Sequence, residues 1–347
     1  MNLAARENFS RQAEWCAGLG SPFTALVCRV LHERLTEGSA FAARLLNWPR
    51  EPEADAIALR ACGALAFFAR AGHPALAPLY PPHPLPSEEE FWRGAEVAIR
   101  DLDERLARFL DSAPQTNEVA RSAALLPGYQ RIAARTGLPL SIREVGASAG
   151  LNLGFDRYAY DYGAFAWGPP DAAVKISCEW RGKVEPWSGA IEIADRRGCD
   201  IHPIDPSDPV ARARMLAYIW PDQADRLARA EAALDHAAQS ALRVEAIDAA
   251  QFTERELRAG ASGTALVLAH TVFWQYLSGP TKTAIRAAIT EAASRATKAS
   301  PFAWLRLEAE EHRGAVLRLS LWPGGPVDEV LAVASFHGRW IEWQAGA

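Results

Sequence analysis

The chain has 347 residues, 49% of them hydrophobic, with 37 basic against 42 acidic side chains and a net charge of −5. That length predicts two domains of ordinary size, each able to bury a core. Charges of both signs are interspersed, which argues against a nucleic-acid grip or an acidic-lipid surface and leaves a small-molecule partner as the expectation. The five cysteines, Cys16, Cys28, Cys62, Cys178 and Cys199, sit at no metal-ligand or C-x-x-C spacing. They read as buried thiols of a reducing compartment, with no metal expected. The start of the chain holds no signal-type segment, and the longest apolar run, 61–69, is too short for a bilayer, so a cytoplasmic location is expected.

Up to about residue 135 the periodicity is helical and no strand pattern appears. Prolines crowd 73–86 and predict an irregular loop. Ser87 followed by Glu90 forms a capping box for a helix through Phe91, Ala95, Ala98, Leu102, Leu106 and Phe109. A polar cluster at 115–130 opens another helix, with Thr116 or Asn117 as its cap and Glu118 and Arg121 one turn apart on a common face. A well-capped surface helix accounts for this spacing. Its position just before the next segment also makes Thr116, Asn117, Glu118 and Arg121 candidates to line a cleft.

The most informative stretch is 140–154. Leu140, Ile142 and Val145 make a buried-strand run that ends on Glu144, followed by Gly146, Ser148 and Gly150 in a tight turn expected to open a helix. Unpaired N–H groups at such a turn can bind the negative end of a ligand. Three chemistries fit the outline. A dinucleotide fingerprint wants glycine where Ser148 stands, and Glu144 would repel a pyrophosphate. Residues 146–150 match the G-x-S-x-G nucleophile elbow. The acidic, glycine-bearing turn also resembles motif I of class I S-adenosylmethionine-dependent methyltransferases. A cofactor with an ammonium, a sulfonium and a carboxylate tolerates Glu144 better than a pyrophosphate does. A turn of small residues that merely packs closely is the plain alternative.

Beyond Asp156, Tyr158 to Gly163 alternates like a strand, as do 174–180 and 191–194, which predicts a β-hairpin insertion near 158–190. Asp200 or Asp205, in the loop that follows, is placed to hold ribose hydroxyls. Asp208 with Pro209 reads as a helix start. Strand 242–247 ends at Asp248, a position that resembles the one meeting adenine in methyltransferases. Strand 265–269 ends at His270, with Tyr276 shortly after, at the carboxyl end where open α/β sheets bind ligands. Strands at 302–308, 315–322 and 330–336 close the chain, the last two as antiparallel neighbours.

The sum is a Rossmann-like α/β domain over 136–347, with a mostly parallel sheet and an antiparallel C-terminal hairpin, behind a helical domain over 1–135. A serine hydrolase reading writes a triad of Ser148, Asp248 and His337 or His270, but residues 1–135 lack the preceding strands that fold requires. A non-catalytic nucleotide or small-ligand binding protein is the third class.

The residues Gln115-Thr116-Asn117-Glu118 with Arg121, Glu144 to Leu153 with Asp156 and Tyr158, Trp220-Pro221-Asp222-Gln223 and Trp274-Gln275-Tyr276-Leu277 together resemble an uncharacterised bacterial family, domain of unknown function 2332. The resemblance spans nearly the whole chain and implies a methyltransferase-like sheet behind a helical region. On that reading Glu144, Gly146, Ser148, Gly150 and Asn152 meet the methionine part of S-adenosylmethionine, Asp200 or Asp205 the ribose and Asp248 the adenine. His270 and Tyr276 face the methyl acceptor as catalytic candidates. Thr116, Asn117, Glu118, Arg121, Asp156 and Tyr158 line its site.

Overall fold

A computed structural model describes residues 3–183, 191–240, 242–311 and 313–346. In chain order its helices are α1 (Leu3–Gly18), α2 (Pro22–Arg34), α3 (Ala40–Leu46), α4 (Ile57–Arg70), α5 (Glu88–Phe109), α6 (Ser122–Thr136), α7 (Pro209–Ala217), α8 (Ala224–Gln239), α9 (Ala249–Ala259) and α10 (Gly279–Arg295). Its strands are β1 (Leu140–Val145), β2 (Ala159–Asp161), β3 (Ala166–Trp167), β4 (Lys175–Ser177), β5 (Glu179–Arg181), β6 (Ile193–Asp200), β7 (Val244–Ala246), β8 (Ala265–Thr271), β9 (Phe302–Glu310), β10 (Gly314–Trp322), β11 (Glu329–Ala334) and β12 (Trp340–Trp343). The chain forms two compact units, Met1–Thr116 with Asp208–Glu231, and Asn117–Ser207 with Ala232–Ala347. The first is discontinuous, and the division falls at 116/117 where the sequence pattern had placed it near 135. The reason is α6, which reads as one more helix of the N-terminal series but packs on β8, β9, β10 and β11.

Every regular element in the described residues of the first unit is helical. Phe9, Phe23, Leu31, Phe41, Leu65 and Phe91 anchor one buried apolar core there. Ser87 and Glu90 make the reciprocal capping box at the start of α5, and the 73–86 loop holds a single 3-10 turn. Asp222, inside the Trp220–Gln223 motif, accepts hydrogen bonds from the Ser21 hydroxyl at 2.5 Å and the Phe23 N–H at 2.9 Å, capping α2. That motif thus fastens a helix start of its own unit.

The second unit is built on a nine-stranded sheet of order β5-β12-β11-β10-β9-β8-β1-β6-β7. β7, β6, β1, β8 and β9 are mutually parallel. From β1 the chain steps outward through β6 to β7, then returns to β8 on the other flank of β1 and steps out to β9. Strand order therefore reverses between β1 and β8, and the crevice of such a sheet lies beyond their carboxyl ends. β9, β10, β11 and β12 form an antiparallel meander, so the expected closing hairpin is part of a longer run whose last strand, β12, the sequence reading missed. Four residues, W-I-E-W, give too little alternation to detect.

Three local expectations are corrected. The glycine turn opens a 3-10 helix, Leu151–Arg157, and not an α-helix: Leu151, Leu153 and Phe155 are all buried, and a spacing of two cannot share one α-helical face. The insertion is a three-stranded sheet, β3-β2-β4, with β2 and β4 parallel, while β5 leaves it to pair with β12. The remainder of that expected hairpin, 184–190, lies outside the described residues. Finally, Ile193 begins the long parallel strand β6 at the side of β1, and is no hairpin arm. Asp195, Arg196 and Arg197 hid this strand from a hydrophobicity reading because ion pairs, not apolar alternation, accommodate them: Asp195 pairs with Arg143 at 2.9 Å and with Arg197 at 3.3 Å, and Arg196 pairs with Asp156. Among the described residues no helix is long and apolar enough to cross a membrane.

Candidate functional site

Gly146, Ser148 and Gly150 all take positive φ, at 69°, 55° and 73°. Glycine adopts this region freely, whereas serine there is strained. The alternation folds the turn back on itself, and four of its N–H groups find partners within the chain. Ala147 donates to the Cys199 carbonyl at 2.9 Å, and Gly150 donates to the Ala147 carbonyl at 2.8 Å. Ser148 N–H donates to the Asp200 carboxylate at 3.0 Å, and Leu151 N–H to the Asn117 side-chain oxygen at 3.0 Å. Asp200, at the end of β6, also accepts from His202 N–H. The two donors a phosphate would need are thus bound to side chains of the chain itself. A Cβ at Gly146 would lie 2.2 Å from the Phe273 ring, so an aromatic side chain from the β8 turn covers that glycine.

Beneath the turn lies Glu144, only 3% exposed, at the end of the central strand. Its register partners are Gly198 on β6 and Ala269 on β8, small residues that leave its flanks uncrowded. Burial, with a smaller push from the Asp200 charge against a pull from Arg121, raises its carboxyl to about 8. One of its oxygens, Oε2, has no hydrogen-bond partner. The Ser148 hydroxyl and both amide atoms of Asn152 are buried and unpartnered as well. Buried polar atoms are nearly always paired, so this many orphans within nine residues of chain mark the turn as the candidate site. Burial, reinforced by the Glu144 charge, also pushes up the hydroxyls of Tyr129 and Tyr158.

At the end of the neighbouring strand, His270 is fully buried. Its Nδ1 is 2.6 Å from Glu308 Oε1, and the Trp304 indole N–H donates to its Nε2 at 3.0 Å. An indole nitrogen only donates, so Nε2 accepts and the ring proton sits on Nδ1, given to Glu308. The same carboxylate accepts the N–H groups of Phe273 and Trp274 at 3.0–3.2 Å. Between them and β8, Val272 is held at φ 47°, a position a β-branched residue tolerates at a cost of about 1–3 kcal/mol. Both ring nitrogens of His270 are therefore occupied in holding the turn that sets Phe273 on Gly146. Glu308 and Trp304, which complete this assembly, escaped the sequence reading: each is one alternating residue of a β-strand, and only the pairing of β8 with β9 brings them to His270.

The remaining candidates divide. Asp156 receives a two-pronged contact from Arg196, at 2.5 and 2.9 Å, and Arg196 also reaches the Leu153 carbonyl; Arg196 had no sequence signal. Tyr158 is buried and donates to the Leu151 carbonyl at 2.6 Å. These contacts brace the 3-10 helix behind the turn. Glu118 caps a 3-10 turn, Val119–Arg121, by accepting the Ala120 N–H at 3.2 Å, and Arg121 donates to the Phe336 carbonyl at 3.0 Å. Thr116 belongs to the other compact unit. Asp205 accepts the Ser207 N–H in a local turn, and Asp248 is the N-cap of α9. Tyr276 is 73% exposed. Glu144, Gly146, Ser148, Gly150, Asn152 and Asp200, with Asn117, are the members the fold gathers around one turn. An open groove of about 840 Å³ reaches that turn at Ala149 and is otherwise lined by β6, the loop after it and the β7 region, including Arg196, Gly198, Asp205, Val244 and Phe252. Among the described residues no cluster of His, Cys, Asp and Glu is arranged to hold a metal ion.

Fold and site together define a mixed α/β protein with a mostly parallel sheet and a buried acidic centre at its switch point. A family model described as "Uncharacterized protein conserved in bacteria (DUF2332)" matches residues 6–343, and the chain belongs to that family. No curated protein and no solved structure matches it.

Proposed function

We propose that the chain binds a small cationic ligand of the S-adenosylmethionine type at the carboxyl end of β1 and transfers its methyl group to a small molecule. The observation that carries this reading is Glu144: a buried carboxyl at the switch point with an unpartnered oxygen, its acidity suppressed by burial and by Asp200. Such a group gains most from a ligand that brings a positive charge and N–H donors. Asn152, with a free amide donor and acceptor, suits the ammonium and carboxylate of an amino-acid moiety. Phosphate ligands are disfavoured, because Asp200 and Asn117 already hold the Ser148 and Leu151 N–H groups and the Asp200 carboxylate sits at the turn. The groove beside Ala149 has the volume of a small-molecule site and adjoins Asp205, within the usual range of about 300–1,000 Å³.

When bound, S-adenosylmethionine would supply an electrophilic methyl on a sulfonium. The chain's own residues would orient donor and acceptor, an effect on the order of 7–11 kcal/mol in well-aligned systems. Glu144 would neutralise the ammonium and Asn152 fix the amino-acid group. Asp200, with its lone pairs only partly used, would reach a ribose hydroxyl, and Asp248 the adenine. His270 has no lone pair to spare, so it acts here by positioning Phe273 and not as a base.

Calorimetry of the full chain with S-adenosylmethionine, S-adenosylhomocysteine and NAD, run in two buffers of unlike ionisation enthalpy, tests this. The expected result is saturable binding of the first two at neutral pH, with release of about one proton as Glu144 ionises, both lost in Glu144→Gln. Tight NAD binding, or S-adenosylmethionine binding unchanged by that substitution, defeats the proposal. A serine nucleophile is the second reading, favoured by the positive φ and unpartnered hydroxyl of Ser148. Labelling of Ser148 by a fluorophosphonate would establish it.

A further inference from the structure

The first unit brings together three cysteines that stand far apart in sequence. The sulfurs of Cys28 on α2 and Cys62 on α4 are 3.5 Å apart, and Cys16 on α1 lies close enough to Cys28 for each to perturb the other's ionisation. Gln12 adds an amide N–H to the Cys16 sulfur at 3.3 Å. The influence of Cys28, with the Gln12 amide, favours a thiolate at Cys16 and raises its acidity, while the neighbouring Cys16 and Cys62 sulfurs, and then burial, suppress ionisation of Cys28.

Access comes from Cys62. It is only half-buried, and it lines a cavity of about 10 Å³ together with Thr24, Gly63 and Tyr80. That is the space of about one water-sized molecule. The Tyr80 hydroxyl is buried without a hydrogen-bond partner, which gives a small polar visitor something to bind.

We propose that Cys62 and Cys28 form a peroxide-reactive dithiol that closes to a disulfide between α2 and α4. In the first step the Cys62 sulfur attacks hydrogen peroxide. The S–O bond forms as the O–O bond breaks, and the departing hydroxide takes the thiol proton to leave as water. In the second the Cys28 sulfur attacks the sulfenic sulfur, the S–O bond breaks, and the Cys28 proton ends on the departing hydroxide as a second water. Two thiols are oxidised by two electrons and one peroxide is reduced. The gap from 3.5 Å to a bond of about 2.05 Å is one that side-chain rotation can close when the Cβ vectors face each other.

The test uses the reduced full chain, treated with hydrogen peroxide, quenched in acid and alkylated after unfolding. Intact mass and peptide mapping then count the thiols. The result expected is protection of two of the five cysteines, a mass lower by two hydrogens, and one cross-linked peptide pair joining Cys28 to Cys62. In Cys62→Ser the cross-link is lost, and in Cys16→Ala it forms more slowly. The wild-type mapping stands on its own if a variant fails to fold. Five alkylatable thiols after a peroxide dose that oxidises free cysteine, sulfinic acid at Cys62 without a cross-link, or a cross-link to Cys178 or Cys199 would each overturn the proposal.

Discussion

Replacing Glu144 by glutamine removes a titratable group from the buried end of β1 while keeping its shape, and the pH dependence of stability should change in a defined way. In the unfolded chain this carboxyl ionises at its ordinary 4.5, and in the folded chain at about 8. Between those values the native state binds a proton that the unfolded state has given up, so stability falls as pH rises. Each pH unit costs about 1.4 kcal/mol. The loss is absent below pH 4.5, reaches about 3 kcal/mol at neutrality, and levels off on the order of 5 kcal/mol above pH 8. Other titrating groups contribute to both proteins and cancel in the difference. Glu144→Gln should therefore match the wild type near pH 4.5 and exceed it increasingly above. At neutral pH the gain corresponds to an increase in Tm on the order of 10 °C for a unit of this size. Thermal unfolding at a series of pH values, followed by fluorescence of the chain's 12 tryptophans, measures it. A variant less stable than the wild type at every pH would refute the reasoning, since it would mean that Glu144 is ionised and held by a partner. On the proposed function the same carboxyl links stability to binding, since a cationic ligand would offset the cost of ionising it.

Two further outcomes follow from the same unit. Arg143, on the opposite face of β1, is buried against Glu256 at 2.6 Å and Asp195 at 2.9 Å; Arg143→Ala should cost about 2–3 kcal/mol in urea unfolding, because the buried Glu256 then keeps only Arg255 and the more distant Arg197, and Arg143→Met less, since it retains the packing of the side-chain stem. Glu308→Gln weakens acceptance from His270, Phe273 and Trp274 together and should cost about 2–3 kcal/mol. A crystal structure of that variant should show the Phe273 ring displaced from Gly146; a ring still in place would mean that packing alone holds it.

The all-helical start, the strand at 140–145, the turn at Gly146 and the C-terminal strands were legible in the sequence because each depends on neighbours a few residues apart: periodicity, caps and glycine spacing. Asp208 with Pro209 and Ser87 with Glu90 act as their spacing implies. β6 was not legible past Ala194, because Asp195 and Arg196 are neutralised by Arg143 and Asp156, dozens of positions away, and Arg197 by Asp195. The 3-10 helix at Leu151 was missed for a related reason, as Asn117 caps it from outside the segment.

Within the site, sequence alone singled out Glu144, the glycines and Asn152. Tertiary structure decided what they are free to do. It spent the Ser148 and Leu151 N–H groups on Asp200 and Asn117, laid Phe273 over Gly146, tied both nitrogens of His270 to Glu308 and Trp304, and left Glu144, Ser148 and Asn152 with unpaired atoms. Residue type fixes which chemistry a side chain can perform. Whether its lone pairs and protons are already engaged depends on partners that only strand pairing and packing bring within reach.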